Sequence, residues 1–227
     1  MSEARQRAVL ARLHELAKAE IAAALRLVDP GDSAAIASVI VDVVPVIAER
    51  YGLAAGALAA DWYEDQREAA GVAGYFSAQP AQLPSQGRYE SMAAWVANKD
   101  DVESLVSGGV QRVIANAHRE TVMESSFADP QAEGWARFSG GGDGSCAFCF
   151  MLISRGAVYR DGASAKFGAH DDCNCGAGPV WKGRDGLEKV RKYVKGARRR
   201  EDSDGNAIGA TAADQERAKE WIAQHLD

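Results

Sequence analysis

Apolar residues recur at helical spacing up to Ala128, and the pattern stops at Asp129-Pro130. In residues 3–28, Leu10, Leu13, Ala17, Ile21, Ala24, Leu25 and Val28 fall on one stripe, with Arg5, Arg12, Glu15 and Arg26 opposite. That spacing predicts an amphipathic helix. Asp29-Pro30-Gly31-Asp32 ends it, and Asp32 or Ser33 is placed to cap a second helix. Ile36, Val39, Ile40, Val43 and Ile47 form the second apolar face, and Pro45 is expected to kink that helix or end its first segment. A break is expected at Tyr51-Gly52. A third helix then covers residues 53–70, small and apolar on every side in its first half, with Trp62 and Tyr63 as packing residues. Residues 71–89, with Gly71, Gly74, Pro80, Pro84 and Gly87, read as a loop long enough to wrap over something. A fourth helical stretch runs from about Glu90 to Ser125, with Val102, Val106, Val113 and Ala117 on one face and Gly108-Gly109 interrupting it. His118, Arg119 and Glu120 read as a solvated helix face, since no nucleophile or second base keeps register with them.

Beyond Pro130 glycine becomes dense, at Gly134, Gly140, Gly141, Gly142 and Gly144. Short apolar runs at Phe150–Ile153 and Ala157–Tyr159 flank Ser154-Arg155-Gly156 and suggest a hairpin; Pro179-Val180-Trp181 suggests a last strand. Within this stretch lie all four cysteines: Cys146-Ala-Phe-Cys149, then His170-Asp-Asp-Cys173-Asn-Cys175. Two thiolates two residues apart grip one ion from a tight turn, and a His/Cys group some twenty residues on completes a tetrahedron. There are five candidate donors and zinc takes four, so either Cys173 or Cys175 is spare. A segment this small has little core of its own, and a structural zinc, one per chain, would supply the missing stability. The alternative is a pair of disulfides. The chain opens with charged residues and no apolar leader, which points to a reducing cytosol, where disulfides are disfavoured.

Composition narrows the classes. Heavy alanine and few aromatics favour helices over a β-sandwich, and a net charge of −6 argues against a nucleic-acid binder along the whole chain. Ala34–Ala48, the most apolar run, is broken by Ser38, Asp42 and Pro45 and is too short to span a bilayer, so no membrane role is expected. Charge is sharply segregated near the end. Lys182–Arg200 holds nine basic and two acidic residues, whereas 201–227 holds two basic and seven acidic. Such a block invites an anionic partner, packaged DNA or an acidic protein face; the alternative is a basic helix pairing with the acidic stretch after it. A loop over Glu201–Asn206 and a short helix over 211–226 complete the expected elements.

Catalysis finds little support. There is no HExxH helix, the parts of a zinc deaminase signature occur in the wrong order, and only Asp171 or Asp172 is placed to act as a general base. No catalytic residue and no small-molecule substrate are expected.

The stretch from Asp129 to Trp181 resembles the Mu F-like head morphogenesis family, the minor head proteins of tailed phages, and most of all the branch from phages of actinobacteria. Gly134-Trp-Ala-Arg137, Cys146-Ala-Phe-Cys149, Leu152–Tyr159 and His170–Cys175 with Pro179-Val180 carry the likeness; Leu58–Tyr63 and Asn116–Val122 extend it over about 50–182. Asp171 and Asn174 stand where the family's His-Pro-x-Cys-Arg-Cys run has proline and arginine. The resemblance implies a minor capsid protein of the virion, assembled in the host cytoplasm. It would bind the portal protein or the major capsid protein at the portal vertex and act in head assembly and DNA packaging or delivery.

The expected architecture is therefore α+β, mainly α. A helical domain over 1–128 is followed by a Cys/His module over 129–182, a small zinc-stapled β-hairpin held by Cys146, Cys149, His170, Cys173 and Cys175. A tail over 183–227, basic then acidic, ends in a helix. Two other functions use the same residues: a zinc-dependent enzyme such as a nuclease, and a zinc-ribbon module binding DNA through Lys182–Arg200.

Overall fold

The computed structural model describes residues 3–138, 152–153, 175–182, 200–201 and 207–208. The chain is mainly helical. Helix α1 (Glu3–Leu25) packs on α3 (Val44–Ala69) and α5 (Val102–Ala128), and α3 and α5 lie along each other. The short α2 (Ser33–Ser38) and α4 (Gly87–Val96) close the end of this bundle at which α3 begins. Strand β1 (Ala132–Phe138) pairs antiparallel with β2 (Gly176–Trp181), and both strands pack on α5. A separate two-residue ladder joins β3 (Arg200–Glu201) to β4 (Ala207–Ile208), where the sequence suggested a loop alone.

Asp32 caps α2 as expected, its Oδ1 accepting from the backbone N–H of Ala34 and Ala35. Pro45 does not end the helical path. Residues Val39–Val43 form a π turn that leads into α3, and the N–H of Val44 reaches back five residues to Val39 O. Proline has no N–H for the carbonyl four residues before it, which is that of Val41. The side-chain amide of Gln86 donates to that oxygen instead, at 2.7 Å. The extra residue of a π turn also shifts the apolar stripe. Ile36, Ile40, Val44 and Ile47 are buried, and Val43, expected inside, is 40% exposed.

The break expected at Tyr51-Gly52 is absent, because the glycines there serve packing. A Cβ on Gly52 would lie 2.9 Å from Leu83, and one on Gly56 would lie 3.1 Å from the Pro80 ring. Residues 71–86 form a strap that crosses α3 on these two flat spots. The strap is held by Ala78 N–H to Glu64 Oε1 at 2.9 Å and Ala81 N–H to Thr121 Oγ1 at 2.9 Å. Gly108-Gly109 likewise leaves α5 unbroken, with the end of Met92 folded over Gly109. The helical stretch expected from Glu90 divides instead at Ala97–Asp101, between α4 and α5.

Two cores result. One joins α1, α2, α3, α4 and α5 through Ile21, Ile40, Val44, Val96, Val106 and Ile114. The other joins α3, α5, the strap and both long strands through Trp62, Tyr63, Val122, Trp135, Ala177 and Trp181. The strands thus share their core with the helices. Gly134 makes a bulge in β1 at φ 136°, a conformation open to glycine, and Gly176 leaves room for the Phe138 ring to cross β2.

Candidate functional site

Four of the five expected metal donors, Cys146, Cys149, His170 and Cys173, lie outside the described residues. So do most of the hairpin expected around residues 150–159, Lys182–Arg200 apart from its two ends, and the helix expected over 211–226. Leu152 and Ile153 take helical conformation, not the strand their apolar run suggested. A run of four apolar residues fits either state, and period alone does not choose between them.

The fifth donor, Cys175, immediately precedes β2 and is 2% exposed. The register pairs Phe138 with Gly176, so the chain leaves β1 and re-enters β2 at adjacent positions. The two strands are a stem, and every candidate donor lies between them in sequence. The stem sets Phe138 and Gly176, which bracket the segment carrying the candidate donors, side by side at one end of the sheet. That reduces the entropy lost in gathering donors some twenty residues apart around one ion. The residue types in that segment are those a structural zinc takes. Among the described residues no group of three or more His, Cys, Asp or Glu is close enough to hold a metal.

The base of the stem is clamped to α5. Arg119 Nε donates to the carbonyl of Cys175 at 2.8 Å, and Nη1 donates to Asn116 Oδ1 at 3.0 Å. Arg119 and His118 are each only 2% exposed, so the solvated face expected for this triplet is wrong on two of its three residues. The Gln6 amide on α1 donates to His118 Nε2, and Trp62 packs on the imidazole at 6.1 Å between ring centres. His14, about two turns along α1, turns its Nε2 into the same interior. Burial, followed by the Arg119 charge, lowers the pKa of His14 to about 4 and that of His118 to about 3. Both rings are neutral at pH 7. A cavity of about 360 Å³ lies between α1, α5 and β2, walled by Gln6, Leu10, His14, His118, Phe138 and Cys175.

A second buried cluster closes the other end of the stem. Asp129 caps the end of α5, with its N–H bonded to Ser125 O at 2.8 Å, and Oδ1 accepts from Gln131 N–H at 2.9 Å. Its Oδ2 accepts from Arg67 Nε at 2.9 Å and Tyr63 OH at 3.4 Å. The rest of the Arg67 guanidinium donates to the carbonyls of Val72, Ala73 and Gly74, fastening the start of the strap. Burial and the Asp129 carboxylate hold the Tyr63 phenol well above its ordinary pKa of 10.

Sequence reasoning missed strand β1, the Gln6–His118 pair and Arg67–Asp129. Strand β1 reads Ala-Glu-Gly-Trp-Ala-Arg-Phe, with no alternation, because four consecutive residues are buried. The one available signal for Gln6, His14 and His118 was that each lies among apolar positions on a helix otherwise well supplied with charge.

The fold and its buried polar clusters define a class: a mainly α-helical protein in which a two-stranded stem, clamped to the bundle by Arg119, delimits a cysteine-rich stretch. The chain belongs to the VG15 protein family, a family of viral proteins, whose model matches residues 2–196. The match takes in the helices, the stem, the cysteine stretch and most of the basic block. No curated protein and no solved structure gives a significant match. No helix among the described residues is long and apolar enough to cross a membrane.

Proposed function

We propose that this protein is a structural component of a phage particle. It is a minor capsid protein of the Mu F-like kind that acts at the portal vertex in head assembly and in DNA packaging or delivery. Membership of a viral family over most of the chain carries this reading, and the arrangement of the molecule agrees with it. Several buried polar groups fasten elements to one another: Arg119 holds Cys175, Arg67 the strap and Asp129, Gln6 His118. The protein needs no catalytic residue and no small-molecule substrate for that work. Its partners are the portal protein or the major capsid protein, with packaged DNA reached through Lys182–Arg200.

One zinc per chain, held by Cys146, Cys149, His170 and either Cys173 or Cys175, has a scaffolding role. The bound ion supplies folding free energy to a segment with little core of its own. The stem and the Arg119 clamp would pass that order to the bundle.

The test is made on purified particles. Quantitative mass spectrometry should find the chain in particles at few copies, and cross-linking should join it to the portal or capsid subunit. Recovery of the chain only in the soluble lysate, never with particles, would overturn the reading. Elemental analysis of protein made in a reducing host should find close to one zinc per chain; folded, metal-free protein would remove the zinc.

A further inference from the structure

An open groove of about 910 Å³ runs between the second half of α3, the start of α1 and the strap. Its rim is acidic: Asp61, Glu64 and Glu68 are exposed along α3, one turn apart. Its floor is apolar, built from Leu58, Val72 and Phe76. Of the cations there, Arg67 is committed to Asp129 and the strap carbonyls, and Arg5 stands on the α1 side. Tyr75, also on the groove, is 93% exposed, an aromatic ring left in solvent beside an apolar floor.

The groove lies next to the point where the basic block leaves the sheet. Trp181, last residue of β2, packs edge-on against Tyr63 at 5.2 Å, and Tyr63 packs on Phe76 at 5.6 Å. Two ring contacts thus connect the exit at Lys182 to the groove floor. The residues that follow, 183–199, carry seven cations, two acids and the apolar side chains Leu187, Val190, Tyr193 and Val194. Cations suit the rim and apolar groups suit the floor.

We propose that this groove is the docking site of the chain's own basic segment, residues 183–199. Magnitudes favour the same chain over a free partner. Exposed ion pairs are each worth about 0.2–1 kcal/mol, too little to recruit a dilute peptide. A short tether raises the local concentration to about the millimolar range, where a few such pairs together with apolar contacts on the floor suffice. Docked there, the block is withheld from DNA or any other anionic surface until that surface outcompetes the rim. The inference does not depend on the particle role proposed above.

Zero-length carbodiimide coupling of the full-length chain tests it, using an equal mixture of ¹⁴N and ¹⁵N protein. Lys189, Lys192 and Lys195 should couple to Asp61, Glu64 or Glu68 within single-isotope peptides. The yield at Glu64, the carboxylate left in place, should fall about tenfold in Asp61→Lys/Glu68→Lys, where like charges now face each other, and in high salt. Glu49→Lys, elsewhere on α3, should leave it unchanged. Mixed-isotope links would overturn the proposal in favour of a second copy. Links confined to carboxylates of 201–227 would overturn it in favour of the acidic tail. A yield unaffected by the double variant would overturn it outright.

Discussion

Arg67 Nε lies 2.9 Å from Oδ2 of Asp129, a carboxylate whose side chain has no solvent exposure. The pair joins the end of α3 to the end of α5, at the point where the chain turns into β1. Each partner has further fixed contacts, Asp129 with Tyr63 and Gln131 and Arg67 with three strap carbonyls. Removing one partner strands the other charge in a low-dielectric interior, a loss of about 3–5 kcal/mol. Asp129→Ala and Arg67→Ala should each lower stability by that order in urea unfolding. Arg67→Lys should recover little, since an ammonium lacks the planar fork that serves Asp129 and the strap together. The double variant should lose clearly less than the sum of the single losses. Additive losses would show that the two side chains act separately.

The strap makes a differential prediction at two helical glycines. Replacing glycine by alanine inside a helix gains about 1 kcal/mol where space allows. At Gly109 the obstacle is the end of Met92, a flexible thioether that can swing aside. At Gly56 it is the Pro80 ring at 3.1 Å, in a strap pinned by Ala81 and Thr121. Gly56→Ala should therefore destabilise by about 1–2 kcal/mol through overpacking, while Gly109→Ala stays near neutral. Thermal unfolding of the two variants side by side checks the order; Gly56→Ala as the more stable of the two would contradict the account of the strap.

These glycines also mark what the sequence could and could not convey. Glycine in a helical pattern signals either a stop or a close approach, and only the partner decides. For Gly52, Gly56 and Gly109 the partners are Leu83, Pro80 and Met92, more than fifteen residues away in sequence. The stripe on α1, the cap at Asp32 and the burial of Trp62 and Tyr63 were legible because each depends on local spacing or residue type. The π turn was not: one extra residue shifts the stripe from Val43 to Val44, and the Gln86 amide that completes Val41 comes from 45 residues on. Strand β1 was hidden because it is buried on both faces and does not alternate. Of the candidate site, the stem was half legible, through Pro179-Val180-Trp181, while four of the five expected donors lie outside the described residues. The Arg119 clamp was hidden, since a buried arginine on a helix looks like a surface one until its acceptor is known.

Stability should depend on pH through the α1–α5 contact. His14 and His118 are held neutral, with pKa values of about 4 and about 3 against 6.5 in an unfolded chain. Between those values the unfolded chain binds more protons than the folded one, so stability falls as pH falls. The His contribution is complete above about pH 6.5 and erodes from there toward the folded values. For His14 alone the shift corresponds to about 3 kcal/mol once the pH has fallen to the folded value. Glu120 works in the opposite direction, since burial and the neighbouring Glu124 raise its pKa. The unfolding midpoint should drop steadily between pH 6.5 and 4.5, above the range of most carboxylates. His118→Leu should flatten that slope while lowering stability at pH 7 through the loss of the Gln6 bond. An unchanged slope in His118→Leu would show that the imidazole is not the sensor.

If the proposed zinc is bound, single serine replacements of Cys173 and Cys175 discriminate between the two candidates for its last ligand, provided the right quantity is measured. Cys175 is buried at the base of the stem, with its carbonyl held by Arg119. Exchanging its thiol for a hydroxyl in that setting costs about 1–3 kcal/mol whether or not a metal is near. Stability alone therefore misleads at Cys175, and zinc content decides. If Cys173 is the ligand, Cys173→Ser should lose zinc, and Cys175→Ser should keep it while unfolding earlier. If Cys175 is the ligand, its serine variant should lose both and Cys173→Ser neither. Treatment with a chelator at pH 7, which would remove the proposed zinc, adds a further check. The chelated protein should keep the helical circular dichroism of the bundle, because the Arg67–Asp129 and Gln6–His118 contacts use none of the five candidate donors. Protease sites within 139–174 should open at the same time. Collapse of the whole helical signal on chelation would mean that the stem and bundle cannot stand without the ion.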